Sequence, residues 1–502
     1  MNSDELYALL RRRGVLWPSS EIYGGAQGLY DYGPLGAALK RRIEDAWRAW
    51  FLGLSDDYYE IDPAELLPEA VVRASGHLEN FTDPEVVCDG CHRAYRADTI
   101  LESARPEGVD GLSSEAIADL VRRFAPRCPA CGAERLRVPR PFNLMFGLEF
   151  GAAAGDRAYL RPETAQNSYL AFARMWEVGR KALPLGIAVV GKAFRNEIAP
   201  RQILYRLRAF TQAELQIFFD PERWTVPIDV VRHDALPLVL ARRRAAGDES
   251  IHPTTVEALV REENVPEFFA YHLAMAHRFY RDVLGYPAGR LRLFEKSETE
   301  RAFYNRLQFD VEVNLDSLGG FREVGAVHYR GDYDLSRHSA GSGRDLAVTT
   351  GDGRRIVPHV LELTFGVDRN LWALADLHLV RDGERTVWKL PPYLAPLQVA
   401  VFPLLKKEHG PVARTIAEEL RGEGWAVEYD DAGNVGRRYA RVDEAGIPFA
   451  VTVDRETIEP GPAQGTVTVR LRDDRSQERL ARARLAARLR PAFVFPHPPR
   501  AG

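Results

Sequence analysis

The chain is short of most features that mark special classes of protein. Cysteine is scarce, with four in 502 residues, too few for a disulfide-stapled secreted scaffold of this size. No apolar run approaches the ~20 residues that a bilayer span needs. The opening "MNSDELYALLRRRGVLW" lacks the apolar core of a secretory leader. Cytoplasm is therefore the expected compartment, with no membrane partner. Net charge is only −4, which argues against bulk attraction to nucleic acid but leaves room for a local basic surface. Long repeats and low-complexity blocks are absent. What remains, 45% hydrophobic and 27% charged residues, describes a globular chain long enough for more than one domain.

The four cysteines form two pairs, Cys88 and Cys91 in "CDGC" and Cys128 and Cys131 in "CPAC". Each C-x2-C knuckle lets two sulfurs reach one tetrahedral ion, so the pattern reads as a zinc ribbon with a structural Zn2+. Unligated structural thiols and a redox pair are the weaker alternatives. The 36-residue spacer between the pairs is long, and "LSSEAIADLVRRFA" within it has the apolar spacing of an inserted helix. A closed four-cysteine site is structural and says little about chemistry.

Elsewhere, residues 31–54 open with Gly-Pro and continue as an amphipathic helix whose face is Leu39, Ile43, Ala46, Trp47 and Trp50. That face packs either on its own core or against a second subunit. Residues 221–300 read as a more helical insertion between two blocks of sheet. Strands return at "LQFDVEVNL", "FREVGAVHY" and "VPHVLELTFGV". After the proline-rich "KLPPYLAPLQ", alternating strands and helices over ~100 residues read as a small α/β domain. The end, "PAFVFPHPPRAG", reads as a disordered tail.

Charge concentrates where an apolar strand turns. "PLGIAVVGK" is followed by "AFRNEIAPRQ", with Arg206 and Arg208 downstream. If the first strand continues through them, Arg195 and Glu197 share a side. Arg206, Arg208, Phe210, Gln212 and Glu214 share a face of the returning strand. An ordinary core face cannot hold this set, because unpaired buried charge costs several kcal/mol. A nucleoside triphosphate would satisfy it, with arginines for phosphates and Phe210 for a base. A solvated edge hairpin is the alternative, and the apolar flanks "IAVV" and "LQIFF" count against it. A second cluster is "VPHVLELTFGVDRNLWALAD". Glu362 lies on a strand, Gly366 permits a tight turn, and Arg369 sits in the first turn of a helix, against the dipole, which reads as a cation beside a nearby anion or simply as an exposed arginine at a helix start.

These two blocks resemble motifs 2 and 3 of class II aminoacyl-tRNA synthetases. "FNLMF", "YLRPETAQ", "RNEIAPRQ", "FTQAELQ", "YDLSRHS" and "VGRRYARVDEAGIPFAVTVD" resemble, more closely, glycyl-tRNA synthetases of the homodimeric type, from Leu16 to about Leu480. The resemblance implies an α+β fold: the class II antiparallel sheet with flanking helices, a four-cysteine zinc-ribbon-like insertion and a C-terminal α/β anticodon-binding domain. The implied segments are 1–84 (catalytic domain, with the dimer-interface helix), 85–140 (cysteine insertion), 141–220 (motif 2), 221–300 (helical insertion), 301–390 (motif 3), 391–485 (anticodon-binding domain) and 486–502 (tail). The implied activity is ligation of glycine to tRNA(Gly) by a homodimer using ATP and Mg2+, through glycyl-adenylate.

By the same resemblance, Arg195, Glu197 and Arg369 are the catalytic residues. Asn196, Tyr205, Arg206, Arg208, Phe210, Glu323, Val324, Gly366, Val367 and Asp368 join them in binding ATP. Arg73, Glu163, Phe210, Thr211, Gln212, Ala213, Glu214, Glu362 and Thr364 bind glycine, and Cys88, Cys91, Cys128 and Cys131 bind metal. His77 and His338 read as structural. Arg201, at the loop crest, is a tRNA-end contact or simply solvated. The chain departs from the family at Leu363 and Thr364, where Pro-Ser is usual, at Ala209, where Glu is usual, and at Gly325, where an acidic residue is frequent. Two other readings stay open: a synthetase-like enzyme serving another amino acid or acceptor, and a non-catalytic RNA-binding relative. The complete charged set weighs against the second of these. Arg437, Arg438 and Arg441 suggest an RNA contact or a solvated helix face.

Overall fold

The computed structural model describes residues 1–102, 114–134, 136–137, 140–149, 151, 155–200, 202–302 and 304–499. Arg201 therefore lies outside the described residues.

The central element is a nine-stranded sheet. In chain order its strands are β1 (Tyr58–Glu60), β2 (Leu185–Phe194), β3 (Ala209–Phe219), β4 (Ala235–Val239), β5 (His252–Thr255), β6 (Leu291–Glu295), β7 (Leu307–Leu315), β8 (Gly320–Gly331) and β9 (His359–Gly366). Their spatial order is β5-β4-β6-β7-β8-β9-β3-β2-β1. All pairings are antiparallel except β2 with β1 and β4 with β6. Both apolar flanks of the charged hairpin, β2 and β3, are interior strands.

One face of this sheet is sealed by helices: α1 (Pro34–Phe51), α3 (Glu267–Arg278) and α5 (Val367–His378). Helix α2 (Ala165–Val178) and helix α4 (Tyr333–Ser342) belong to a second apolar cluster near the β2 and β9 strand ends. The apolar stripe of α1 is spent inside the molecule: Leu39, Ile43, Ala46 and Trp47 are fully buried, and the Trp50 indole donates to Met275 O at 3.1 Å. That stripe is thus core, and the alternative of a subunit contact through it does not hold.

Residues 221–300 differ from their sequence reading. Helical periodicity is present in α3, but β4, β5 and β6 extend the main sheet by three strands. These are short, and Pro237 and Pro253 interrupt two of them, so their period-two signal is weak.

The four-cysteine module is built on a separate three-stranded sheet, Thr82–Val87 with Ala94–Arg96 and Arg140–Asn143, and carries the expected helix at Ser114–Phe124. The C-terminal unit is a five-stranded sheet, β10 (Val399–Pro403), β11 (Val427–Tyr429), β12 (Phe449–Val453), β13 (Thr466–Leu471) and β14 (Gln477–Ala481), in the order β11-β10-β12-β13-β14. Helices α6 (Lys406–Gly422) and α7 (Val435–Glu444) belong to it. The stretch read as a disordered tail is ordered through Phe493, whose ring packs edge-on against Trp425 and Phe449, while Phe495 meets Tyr393. Aromatic residues among the prolines outweigh the turn-like composition. No helix among the described residues is long and apolar enough to cross a membrane.

Candidate active site

Register across the three central strands builds the site. Glu214 on β3 lies opposite Thr364 on β9, which lies opposite Ala326 on β8; one row along, Gln216, Glu362 and His328 are aligned. Alternation turns Phe210, Gln212 and Glu214 toward a cavity of about 290 Å³, while Ala213 and Leu215 are fully buried on the other side. Strand β2 ends at Phe194 and β3 begins at Ala209, so Arg195, Glu197 and Arg206 reach the cavity from the connecting loop, not from strand positions as expected. Gly366 is extended (φ −84°, ψ 99°); it closes β9 without a left-handed turn.

Of the predicted residues, Arg195, Glu197, Tyr205, Arg206, Phe210, Glu323, Gly366, Asp368, Arg369, Glu163, Thr211, Gln212, Glu214, Glu362 and Thr364 line this one cavity. Six do not. Ala213 and Val324 point into the core, and Val367 is buried in the first turn of α5. Asn196 is held by its backbone, whose N–H donates to Leu144 O at 2.7 Å. Arg208 ties the loop down by donating to Glu197 O (2.9 Å) and Gln27 O (3.0 Å). Arg73 is 60% exposed and pairs with Glu69. In its place, Arg96 of the cysteine module reaches the cavity and is braced by Asp83 at 2.7 Å. Tyr304, Gln308, Gly325 and His328 were also missed. Gly325 is recoverable from the period-two pattern of β8, which already contained Glu323; His328 is not, because it lies five residues on, beyond a register irregularity between β7 and β8.

The cavity has two electrostatic ends. At the first, Arg195 donates Nε to Pro162 O (3.0 Å), and its guanidinium lies 5.2 Å from the ring centres of both Phe81 and Phe210. Arg369 pairs with Glu323 at 3.0 Å; Glu323 is an anion near the cation at the helix start. Burial pushes the Glu323 carboxyl up, but Arg369 and Lys296 outweigh it and hold it below the usual range. Asp368 accepts from the Thr211 amide and the Tyr32 hydroxyl, fixing the start of α5 to β3.

At the second end, three buried carboxylates meet one guanidinium. Arg330, 1% exposed, donates to Asp334 (2.8 and 3.0 Å) and to Glu362 (2.9 Å), and lies 3.8 Å from Glu163. Burial raises both Glu362 and Glu163. For Glu362, Arg330 and His328 reverse this and bring it to about 2; for Glu163, His77 and Arg330 hold it well below the carboxylate range. Glu214 has no such help. Its partners are the hydroxyls of Thr164 (2.6 Å) and Thr364 (3.4 Å), and no described cation lies within ion-pair distance. Burial, then Glu362 and Glu163, push its carboxyl up to about 8.

Four buried polar atoms on this wall lack hydrogen-bond partners among the described residues: Glu197 Oε2, Tyr205 Oη, Thr211 Oγ1 and Gln212 Oε1. Native interiors leave few such groups unpaired, and these four all fall on residues that line one cavity. The departure at Gly325 also has a physical cause. A Cβ there would come within 2.2 Å of the Tyr280 hydroxyl and 2.6 Å of Thr364 O, so no side chain fits. Leu363 is buried on the opposite face, away from the cavity.

The four cysteine sulfurs lie within 4.8 Å of one another, with Cys88–Cys131 and Cys91–Cys128 at 3.6 Å. A tetrahedron with Zn–S bonds of about 2.3 Å has S···S edges of about 3.8 Å, so the donor set fits one such ion. His77 and His338 are buried and hydrogen-bonded to Ser75 Oγ and Gln166 Oε1, each at 2.8 Å.

Comparison with known proteins adds to this geometry. Residues 398–491 match the model of an anticodon binding domain. The chain is 38% identical to the glycine–tRNA ligase of Methanothermobacter thermautotrophicus over 96% of this chain and 97% of the relative. It is 37% identical to that of Thermococcus gammatolerans over 97% of each, and 38% identical to that of Aeropyrum pernix over 98% of this chain and 97% of the relative.

Proposed function

The chain belongs to the glycine–tRNA ligase family, and we propose that it activates glycine with ATP and transfers it to the 3′ end of tRNA(Gly). The observation that carries this is Glu214: a buried carboxylate, paired only with hydroxyls, at the end of a cavity whose other end holds arginines. It is a receptor for a small ammonium group.

In this reading glycine docks its ammonium among Glu214, Glu163 and Glu362, which Arg330 and the threonine hydroxyls hold in place. Thr364 Oγ1 donates to Glu362 at 3.1 Å, so the threonine does the hydroxyl's work where the family usually has serine. Ala and Ser are excluded by a filled, braced pocket rather than by attraction, because one methyl is worth only about 1–3 kcal/mol. Arg195 neutralises the glycine carboxylate and the α-phosphate together. Phe210 receives the adenine, and Arg369 and Arg206 receive the outer phosphates. The carboxylate oxygen attacks the α-phosphorus in line, and pyrophosphate leaves. No covalent enzyme intermediate is needed, and the catalytic power is positioned charge.

Glu323 and Glu197, the latter with its orphaned oxygen, are the residues that would hold Mg2+, whose chemistry is neutralisation of phosphate charge. Cys88, Cys91, Cys128 and Cys131 would hold a structural Zn2+. The ion would thereby fix the strand that carries Arg96, which takes the place beside the substrate first given to Arg73. The C-terminal domain reads the anticodon, and the protein works in the cytoplasm as a homodimer through a surface other than the buried stripe of α1.

The test is amino-acid-dependent pyrophosphate exchange with glycine, alanine, serine and proline, followed by tRNA charging. Glycine alone should support exchange and charging. Exchange that needs no amino acid would sink the catalytic reading, and glycine exchange without charging of any tRNA would favour a non-tRNA acceptor.

A further inference from the structure

A second pocket, of about 440 Å³, opens on the surface beside the amino-acid end of the cavity, and Tyr304 is a wall of both. Its other contributors come from the β7 approach (Asn305, Arg306), the end of β8 (Arg330) and the first turns of α4 (Tyr333, Arg337). The rings of Tyr304 and Tyr333 lie 6.1 Å apart, and the Arg330 guanidinium sits 4.0 Å from the Tyr304 ring centre. Arg306 is braced by Asp332 at 2.9 Å, and Arg337 by Ala74 O at 2.9 Å. Both are exposed, and each brace uses a single guanidinium nitrogen of a group with several donors.

The pocket also contains an unmet demand. Asn305 is 94% buried, since its relative exposure is 6%. Its Nδ2 donates to Gln308 Oε1 at 2.9 Å, and Gln308 donates on to Asp310 at 2.9 Å. That chain fixes the amide orientation and leaves Asn305 Oδ1 as a buried acceptor with no partner among the described residues. Gln308 lines the catalytic cavity, so the orphaned oxygen and the reaction site are two side chains apart.

Two tyrosine rings, two exposed arginines and one oriented acceptor match one ligand chemistry: a nucleotide with an exocyclic amine, stacked on an aromatic wall with its phosphate toward cations. The pocket adjoins the glycine end of the cavity, not the triphosphate end, and it opens to solvent. We infer that it receives a nucleotide of the single-stranded 3′ end of the RNA substrate, next to the terminal sugar that accepts glycine, with Asn305 and Arg337 as positioning residues for transfer. The inference rests on the ligase reading above.

Two variants test it, Asn305→Ala and Arg337→Glu, the second at an exposed side chain whose one hydrogen bond is to the Ala74 carbonyl. Neither residue belongs to the activation machinery. Each should leave glycine-dependent pyrophosphate exchange within twofold of wild type, while single-turnover transfer from preformed glycyl-adenylate to a tRNA(Gly) transcript falls about tenfold. Wild type should bind the intact transcript about tenfold more tightly than one trimmed of its 3′ single-stranded nucleotides; the variants should bind both alike. Unchanged transfer with wild-type discrimination in both variants overturns the inference. So does a parallel fall in exchange and transfer, or inhibition of wild-type exchange by cytidine or adenosine monophosphate that Arg337→Glu relieves, which would mark a free-nucleotide site. If wild type shows no glycine-dependent exchange at all, the ligase reading fails, and this one with it.

Discussion

Two buried charge clusters in this molecule are built from the same residue types and behave in opposite ways. In the C-terminal domain, fully buried Asp443 on α7 accepts from Arg470 at 3.0 and 3.2 Å and from Arg385, which stands on the hairpin strand Arg385–Trp388 that follows α5. One anion meets two cations, and nothing is left for a ligand. In the candidate active-site cavity, Glu163, Glu362 and Asp334 share Arg330, while Glu214 beside them receives no cation. The first cluster joins two parts of the chain; the second leaves Glu214 with hydroxyl partners and no cation of its own. A buried ion cluster says nothing of function until its charges are counted.

The largest effect should come from opening the closed cluster. Asp443→Ala strands the buried Arg470 guanidinium, while Arg385 keeps Asp382 at 3.8 Å, and should cost about 3–5 kcal/mol. It is measured by denaturant unfolding, and exchange per folded molecule should be retained at low temperature. A variant as stable as wild type would mean that Asp443 is dispensable to the join. Arg195→Ala should do the reverse. Loss of a preorganised donor to developing charge should lower glycine-dependent exchange by about 10²–10³-fold or more, with the unfolding midpoint little changed because Arg195 makes one backbone bond. Near-normal exchange would remove it from the site. Chelation tests a third kind of cluster: stripping the four cysteines should release about one metal ion per chain and lower exchange, because Arg96 rides on the strand paired with the knuckle strand. Metal analysis alongside the rate separates this from simple unfolding.

How much of this could be seen in the sequence follows the same division. Local patterns were legible. Period two in "FTQAELQ" correctly turned Phe210, Gln212 and Glu214 to one side, the C-x2-C spacing brought four sulfurs together, and the alternation after residue 390 described the C-terminal sheet. Satisfaction of charge was not legible, because it depends on partners distant in the chain. Arg438 reads as a surface cation on a basic helix, yet it is 2% exposed and donates to Asp431 O, Gly433 O and the carbonyl of Pro403. Arg441 likewise pairs with Asp430, and of the three arginines only Arg437 stays exposed. Arg96, Tyr304 and Gln308 reach the cavity from segments that carry no charge pattern. Register between strands decides which residue faces which, and one residue of slip would have inverted the site.

The smallest predicted effect is the most specific to the comparison, because it asks whether the missing charge is really missing. With its carboxyl at about 8, Glu214 is protonated in the free protein at neutral pH and ionised above. Glycine binds with its ammonium, which needs the carboxylate, so binding must displace that proton. The apparent KM for glycine in exchange should therefore fall as pH rises from 6.5 toward 8, by up to about tenfold per unit, and level off beyond. The same raised value makes the folded protein the better proton binder between the unfolded carboxylate range and about 8, so the stability of the ligand-free protein should decline across that window. Protection by glycine, read as a thermal shift, should grow across it. Glu214→Gln abolishes the titration: it should bind glycine weakly at every pH and show neither slope. In the Asp443 cluster, whose carboxylate already has its cations, substitution should leave the pH profile of the glycine KM as it is in wild type. A flat KM profile in wild type would mean that Glu214 already has its cation, and the ammonium receptor would then have to be sought elsewhere in the cavity.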